Sequence, residues 1–281
     1  MAAQFWYDGT WTDENPKLTG PADHSFWLSS VVFDGARAFA RCAPDLDLHC
    51  QRVVRSALAL GLSPTMTPAE IQLLALEGIR RFPPTAELYV KPMFFTLGGS
   101  IATGTATTAF VLHIFDAPLP GEGGFSATLS PLRRPAPDMA PTDAKASCLY
   151  PNSSRATREA EGRGFEAAVL RDPWDNIAEF AFANLWIVKN GVALTPADNQ
   201  TFLAGITRNR IMALLNEAGV EARETTLSAR DLDEADEIFS TGNYGKVVPC
   251  TRYEGRELNT GPIAQLAKHR YFKWAMATSI D

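Results

Sequence analysis

The sequence predicts a mixed α/β (α+β) protein of two domains. Three observations point there. Strand and helix patterns are interleaved along the chain; the run Asp116–Gly124 (Asp-Ala-Pro-Leu-Pro-Gly-Glu-Gly-Gly) has linker composition; and 281 residues with 46% hydrophobic content suffice for two ordinary cores. The expected division is a small α/β domain at residues 1–116, a linker at 117–124 and a larger C-terminal domain at 125–281.

In the first part, Gln4-Phe-Trp-Tyr7 and Thr10-Trp-Thr12 read as a hairpin turned at Asp8-Gly9, and 16–25 as loop. Ser30–Phe39 mixes β-branched and aromatic residues around Gly35, which predicts a strand with a bulge or a close backbone approach there. Arg37 lies in this apolar stretch, as a solvent-facing charge or an anion binder. Leu46, Val53, Ala57 and Leu60 recur at helical spacing and carry His49 and Arg52 with them. Thr67-Pro-Ala-Glu70 is a capping box opening a helix to about Arg81. Strands follow at Glu87–Thr96 and Thr107–Phe115, joined by the Gly-rich tip 98–104, which no Lys-Ser/Thr or helix follows. Tyr89 and Lys91 share one strand face, and Pro92 suggests an edge or bulge.

Beyond the linker, a turn-rich run with Pro131, Pro135, Pro137 and Pro141 precedes Lys145. That lysine is flanked by small residues and followed five positions on by Tyr150. A helix is expected from about Asn152, capped by Asn152, Ser153 or Ser154. A lysine that forms an imine with an aldehyde needs such a place, reachable, partly desolvated and able to lose its proton. Phe165–Arg171 reads as strand and Pro173–Asn176 as turn. Ile177–Lys189 is nearly all apolar or aromatic with Glu179 set into it, a carboxylate costly to bury unless paired. Asn190-Gly191 marks a hairpin returning through Val192–Thr195. Leu203–Arg208 leads into a helix of Ile211, Leu214, Leu215 and Ala218 stopped by Gly219, with Thr207 as expected cap after Gly205; its free N–H groups would face an anion. Strands at Val220–Thr225, Ala235–Ser240 and Val247–Tyr253, a short helix at Ser228–Leu232, a polar turn at Ser240–Gly245 and a last helix from Pro262 to Ala277 complete the chain.

The formal net charge of −6, without a Lys/Arg block, argues against nucleic acid. No run of 18 apolar residues suggests a membrane span, and the N-terminus lacks the regions of a signal peptide. Cys42, Cys50, Cys148 and Cys250 share no CxxC spacing, so neither metal nor disulfide framework is expected. The chain reads as cytoplasmic and soluble.

Several of these stretches carry a resemblance. Val32-Phe-Asp-Gly-Ala-Arg-Ala-Phe39, His49-x-x-Arg52-x-x-x-Ser56-Ala57, Tyr89-Val-Lys-Pro92, Lys145 with Tyr150, Ala178-Glu179 followed by Asn184-Leu-Trp-Ile-Val188, Gly205-Ile-Thr-Arg208, and Asp236-Glu-Ile-Phe239 with Thr241-Gly242 occur in one order. Together they resemble the fold-type IV (class IV) pyridoxal-phosphate-dependent aminotransferases, most nearly the branched-chain amino acid aminotransferases, over nearly the whole chain.

The resemblance implies pyridoxal 5'-phosphate as cofactor and no metal. Lys145 would hold the cofactor as a Schiff base and serve as general base and acid. Glu179 would keep the pyridine nitrogen protonated, making the ring an electron sink. Arg52 and the helix start at Ile206 and Thr207, with Thr241, Gly242 and Asn243, would take the phosphate, and Tyr150 would bond near the phenolate oxygen. Phe33, Arg37, Tyr89, Lys91, Tyr244 and Gly245 would meet the substrate. The implied reaction moves an amino group between an amino acid, a branched-chain L-amino acid favoured, and a 2-oxo acid by a ping-pong mechanism, in a homodimer.

The substrate side departs from the family pattern. Leu28 stands where tyrosine is common, Lys91 replaces arginine, Phe180-Ala-Phe182-Ala replaces a small glycine-containing segment, and Gly242-Asn-Tyr-Gly-Lys246 replaces Gly-Thr-Ala-Ala-Glu. These departures open an alternative, a D-amino acid or (R)-amine transaminase or an aminodeoxychorismate-type lyase on the same scaffold. A non-catalytic protein of this fold is a third reading.

Overall fold

The computed structural model describes residues 2–278. The chain divides into two compact units. One takes in the chain to Leu119, the segment Asp143–Leu149 and the end of the last helix from Ala275; the other comprises Pro120–Thr142 and Tyr150–Trp274.

The first unit opens with the hairpin β1 (Ala3–Tyr7) and β2 (Thr10–Thr12). Asp8 and Gly9 turn it with φ of 48° and 79°, the paired positive values of a type I′ turn. One helical turn, α1 (His24–Trp27), interrupts the expected loop. The strand expected over 30–39 is two, β3 (Val31–Phe33) and β4 (Ala36–Ala38), both antiparallel to β5 (Leu88–Thr96). They break at Asp34-Gly35. A Cβ at Gly35 would lie 2.1 Å from the Tyr89 hydroxyl oxygen, so only glycine fits that close approach. β5 pairs on its other side with β6 (Thr108–Asp116), and the strand order is β2-β1-β6-β5-β3. β5 is therefore interior and not an edge. Pro92 is tolerated there because it falls opposite the β3–β4 break, where its carbonyl accepts the Asp34 N–H at 3.0 Å.

Alternation on β5 sends Leu88, Val90 and Phe94 into the core and leaves Tyr89 and Lys91 half-buried on the other face. The helices α2 (Leu46–Ala59) and α3 (Pro68–Ile79) contribute Val53 and Ile71 to that core, and the expected capping box at Thr67 and Glu70 is formed. Ala144 and Ala146 also join it, and Ala146 bridges to Val32. Small residues on either side of Lys145 thus seat its backbone against the core.

The second unit is a nine-stranded sheet of β7 (Phe125–Arg133), β8 (Ala167–Arg171), β9 (Ile177–Phe180), β10 (Asn184–Lys189), β11 (Val192–Pro196), β12 (Ala222–Thr225), β13 (Glu237–Gly242), β14 (Lys246–Tyr253) and β15 (Arg256–Glu257). Its order is β12-β11-β10-β13-β14-β7-β8-β9, with β15 on β14. The helices are α4 (Tyr150–Gly162), α5 (Ile206–Glu217), α6 (Ala229–Asp233) and α7 (Pro262–Met276). Leu185, Ile187, Ile238 and Tyr253 anchor the main core, while Ala156 and Ala160 of α4 let that helix lie close against Ala168 of β8.

Three expectations are corrected here. α4 begins at Tyr150, after a 3-10 turn at Ser147–Leu149, so Asn152 is inside the helix and donates its side-chain N–H to the Arg133 carbonyl instead of capping. The apolar run 177–189 is two strands, β9 and β10, reversed through Ala181–Ala183, because the small alanines permit a tight turn that hydrophobicity alone does not reveal. The cap of α5 is Gly205, with no side-chain cap bond, and Thr207 lies in the first turn.

Candidate active site

In the first unit the site residues gather on the face of β5 opposite the core. Lys145 is held by its backbone: its N–H donates to Ser56 Oγ at 3.0 Å, and its carbonyl accepts from Phe33 N–H at 3.1 Å. Its half-buried side chain places Nζ 4.9 Å from the centre of the Phe33 ring, and Lys91 Nζ lies 5.4 Å from the same centre. Burial and the nearby Lys145 charge lower the Lys91 pKa from its ordinary value. Tyr89 packs over Gly35 and pairs in register with Arg37, which is fully buried rather than turned to solvent.

Arg52 is also buried, and its guanidinium grips Asp34, Nε at 2.6 Å from Oδ2 and Nη2 at 2.9 Å from Oδ1. His49 Nδ1 and the Gly35 N–H each meet Oδ1 of the same carboxylate at 2.7 Å. Burial pushes the Asp34 carboxyl upward, but Arg52 and His49 overcome that and hold it well below the usual carboxylate range.

In the second unit Glu179 is buried, 8% exposed as a residue. It meets Arg134 Nε at 3.4 Å and accepts from Asn184 Nδ2 at 3.3 Å. Such partners offset the cost of burying its charge. The same Asn184 nitrogen donates to the Leu203 carbonyl at 3.0 Å, and a Cβ at Gly205 would strike Asn184 Oδ1 at 1.8 Å. Asn184 therefore joins the carboxylate to the start of α5, where Ile206 and Thr207 present first-turn amides without a side-chain cap. Thr241 stands opposite Asn184 across β10 and β13, and its hydroxyl accepts Trp186 Nε1–H at 3.1 Å, leaving its own proton to donate. Gly242 ends β13. Asn243 Oδ1 accepts from Lys246 Nζ at 2.9 Å, a buried lysine with φ of 62° that also lies over the Tyr271 ring.

Tyr150 opens α4 and stacks on Phe182 at 6.0 Å between centroids. Phe182 and Tyr244 are exposed, on the rim of an apolar cavity of about 340 Å³ that Phe125 and Val248 also line. Phe180 also lines this cavity, buried and edge-on to Phe125. Gly245 is buried, with Val248 and Pro120 too close for any side chain there.

Sequence reasoning missed Arg134, Asp34 and Ser56 as supporting residues. Arg134 follows Arg133 in a proline-rich run and carries no local signal. Asp34 lies within the Val32–Phe39 stretch, where its local pattern gives it no role. Ser56 lies one helical turn after Arg52, a spacing that places both on one face of α2.

These residues fit pyridoxal phosphate. Glu179 is a buried, held carboxylate that could accept a ring N–H, and the glycine-started, uncapped N-terminus of α5 suits a phosphate. Among the described residues no cluster of metal ligands occurs, and no helix is long and apolar enough to cross a membrane.

Comparison with known proteins agrees. The class IV amino-transferase family matches residues 31–253. A putative branched-chain-amino-acid aminotransferase of Methanocaldococcus jannaschii is 31% identical, covering 94% of this chain and 93% of its own. The branched-chain-amino-acid aminotransferase of Escherichia coli is 27% identical over 96% of this chain and 92% of its own. The crystal structure of an aminotransferase from Brucella abortus, bound to the cofactor PLP, superposes with a TM-score of 0.95 at 43% identity, covering 98% of this chain and 99% of that one. With its family motifs in order, its buried Glu179 and its glycine-started α5, the chain belongs to the class IV aminotransferases.

Proposed function

We propose that this protein is a pyridoxal-phosphate-dependent transaminase whose preferred donor is a branched-chain L-amino acid and whose acceptor is a 2-oxo acid. The observation that carries the reading is the arrangement around Asn184, which ties a buried carboxylate to an uncapped helix start. The cofactor, when bound, supplies the aldehyde that takes the amino group and a ring that draws electrons from it.

Each residue then has a task. Lys145 would hold the cofactor through Nζ between turnovers and, once displaced by the incoming amino group, would act as general base and acid of the 1,3-proton shift, taking the proton from the substrate α-carbon and delivering it to the former aldehyde carbon. Glu179 accepts the ring N–H. Arg52 and the amides of Ile206 and Thr207 hold the phosphate, with Thr241, Gly242 and Asn243 completing the set. Tyr150 donates to the ring oxygen. Phe33, Arg37, Tyr89, Lys91, Tyr244 and Gly245 meet the substrate. The branched-chain preference is supported by the relatives in Methanocaldococcus jannaschii and Escherichia coli. We infer further a cytoplasmic homodimer and a domain boundary at the 117–124 linker, which the change of unit between Leu119 and Pro120 supports.

The exposed Phe182 and Tyr244 favour a second reading, a D-amino acid or (R)-amine donor. Single-turnover mixing of the holoenzyme with L-leucine, D-alanine or (R)-1-phenylethylamine separates the two. Loss of the visible cofactor band with L-leucine alone supports the first reading. Loss with D-alanine or the amine, and none with L-leucine, replaces it with the second.

A further inference from the structure

We propose that Lys91 and Lys145 titrate as a coupled pair, and that the ammonium of Lys91 lowers the proton affinity of Lys145. Lys91 is then a positioning residue for protons, acting through the lysine that bonds the cofactor. The inference deepens the transaminase reading and rests on its assignment of Lys145.

The geometry comes first. Both Nζ atoms lie within 5.4 Å of the centre of the Phe33 ring. The backbones of both are fixed. Lys91 is fixed in the interior strand β5, between β6 and the β3–β4 break, and Lys145 is clamped through its backbone to Phe33 and Ser56. Two like charges beside one aromatic ring, in half-buried surroundings, disfavour each other's charged form. The lowered pKa of Lys91, caused by burial and then by Lys145, fits this coupling.

Strongly interacting sites share their titration, so under the proposal the deficit of protons is a property of the pair. A lysine beside a second cation is a known route to a reactive amine at neutral pH.

The charged groups on the packed elements are positive, exposed or already engaged. His113, opposite Lys91 on β6, is neutral above about pH 4, since burial and then Lys91 lower its pKa. Tyr89 lies beside Lys91 on β5, and Arg37 on β4 adds positive charge. On α2, His49 and Arg52 face inward and engage the Asp34 carboxylate, while Asp47 and Arg55 are exposed. On the lysine's own segment Asp143 and Cys148 are exposed. Of the buried carboxylates on these elements, Asp34 is already held by Arg52, His49 and the Gly35 N–H, and Asp45 lies at the N-cap of α2.

The test is trace acetylation with acetic anhydride of the full-length chain stripped of cofactor, its fold checked by circular dichroism. Mass spectrometry gives the pH dependence of labelling at Lys145 and Lys91 separately. In Lys91→Met the half-labelling pH of Lys145 should rise by about one pH unit. In Lys91→Arg, whose charge is permanent, it should stay at the wild-type value or fall below it. Reciprocity requires that Lys145→Met raise the half-labelling pH of Lys91, which serves even if a Lys91 variant folds poorly. An unchanged Lys145 titration in Lys91→Met overturns the proposal, as does a rise in Lys91→Arg equal to that in Lys91→Met. Since no cofactor is present, failure here leaves the assignment of Lys145 standing. That assignment fails separately, if borohydride reduction of the holoenzyme fixes the cofactor elsewhere.

Discussion

Arg52 turns one edge of its guanidinium onto Asp34, so that Nε and Nη2 reach separate carboxylate oxygens at 2.6 and 2.9 Å. A bidentate pair of this kind fixes direction as well as charge. Asp34 is fully buried and lies at the β3–β4 break, and α2 carries Arg52. The break in the strand therefore aims the residue assigned to the phosphate.

Replacing Asp34 by Asn should cost about 3 kcal/mol of stability, because it leaves a buried guanidinium without its counter-charge. Urea unfolding at neutral pH measures this. The pH dependence has a definite sign. The folded carboxyl is held far below its unfolded value, which is near 3.9. The stabilisation is thus complete above about pH 5 and is lost progressively as pH falls below it. Asp34→Asn should flatten that acid limb.

Gly205→Ala tests the link between Glu179 and α5. The added Cβ would meet Asn184 Oδ1 at 1.8 Å, so Asn184 must swing away from Glu179 or α5 must shift. Overpacking of this kind costs roughly 1–3 kcal/mol. Unfolding free energy should fall by that amount, and retention of pyridoxal phosphate on dialysis should fall with it.

Much of this was legible in the chain. The turn at Asp8-Gly9, the capping box at Thr67 and the hairpin at Asn190-Gly191 are set by local backbone chemistry, and each forms where the residues require it. What was not legible depends on tertiary partners. Nothing local marks Arg134 as the neighbour of Glu179, because the two meet only when β7 and β9 join one sheet. Pro92 suggests an edge until the β3–β4 break is seen beside it. Phe180 and Phe182 read alike in sequence, yet one fills the core and the other stands exposed, since alternation and then a turn send them apart.

His113 offers a spectroscopic check on the charge around Lys91. Its ring is stacked between Phe5 and Phe115, at 4.3 and 4.5 Å between centroids. Its pKa falls to about 4, from burial first and Lys91 second. The unfolded value is near 6.5, so its neutral form contributes stability that is present above pH 6.5 and lost as pH falls toward 4. An NMR titration should place its midpoint near pH 4, and Lys91→Met should move that midpoint upward.

The central claim is that Lys145 carries the cofactor. Reconstitution with pyridoxal phosphate, reduction with borohydride and peptide mapping tests it most directly. The account predicts a pyridoxyl group on Lys145, and loss of that label in Lys145→Ala. A label on Lys91 or Lys246 in the wild-type protein, or none at all, would contradict it.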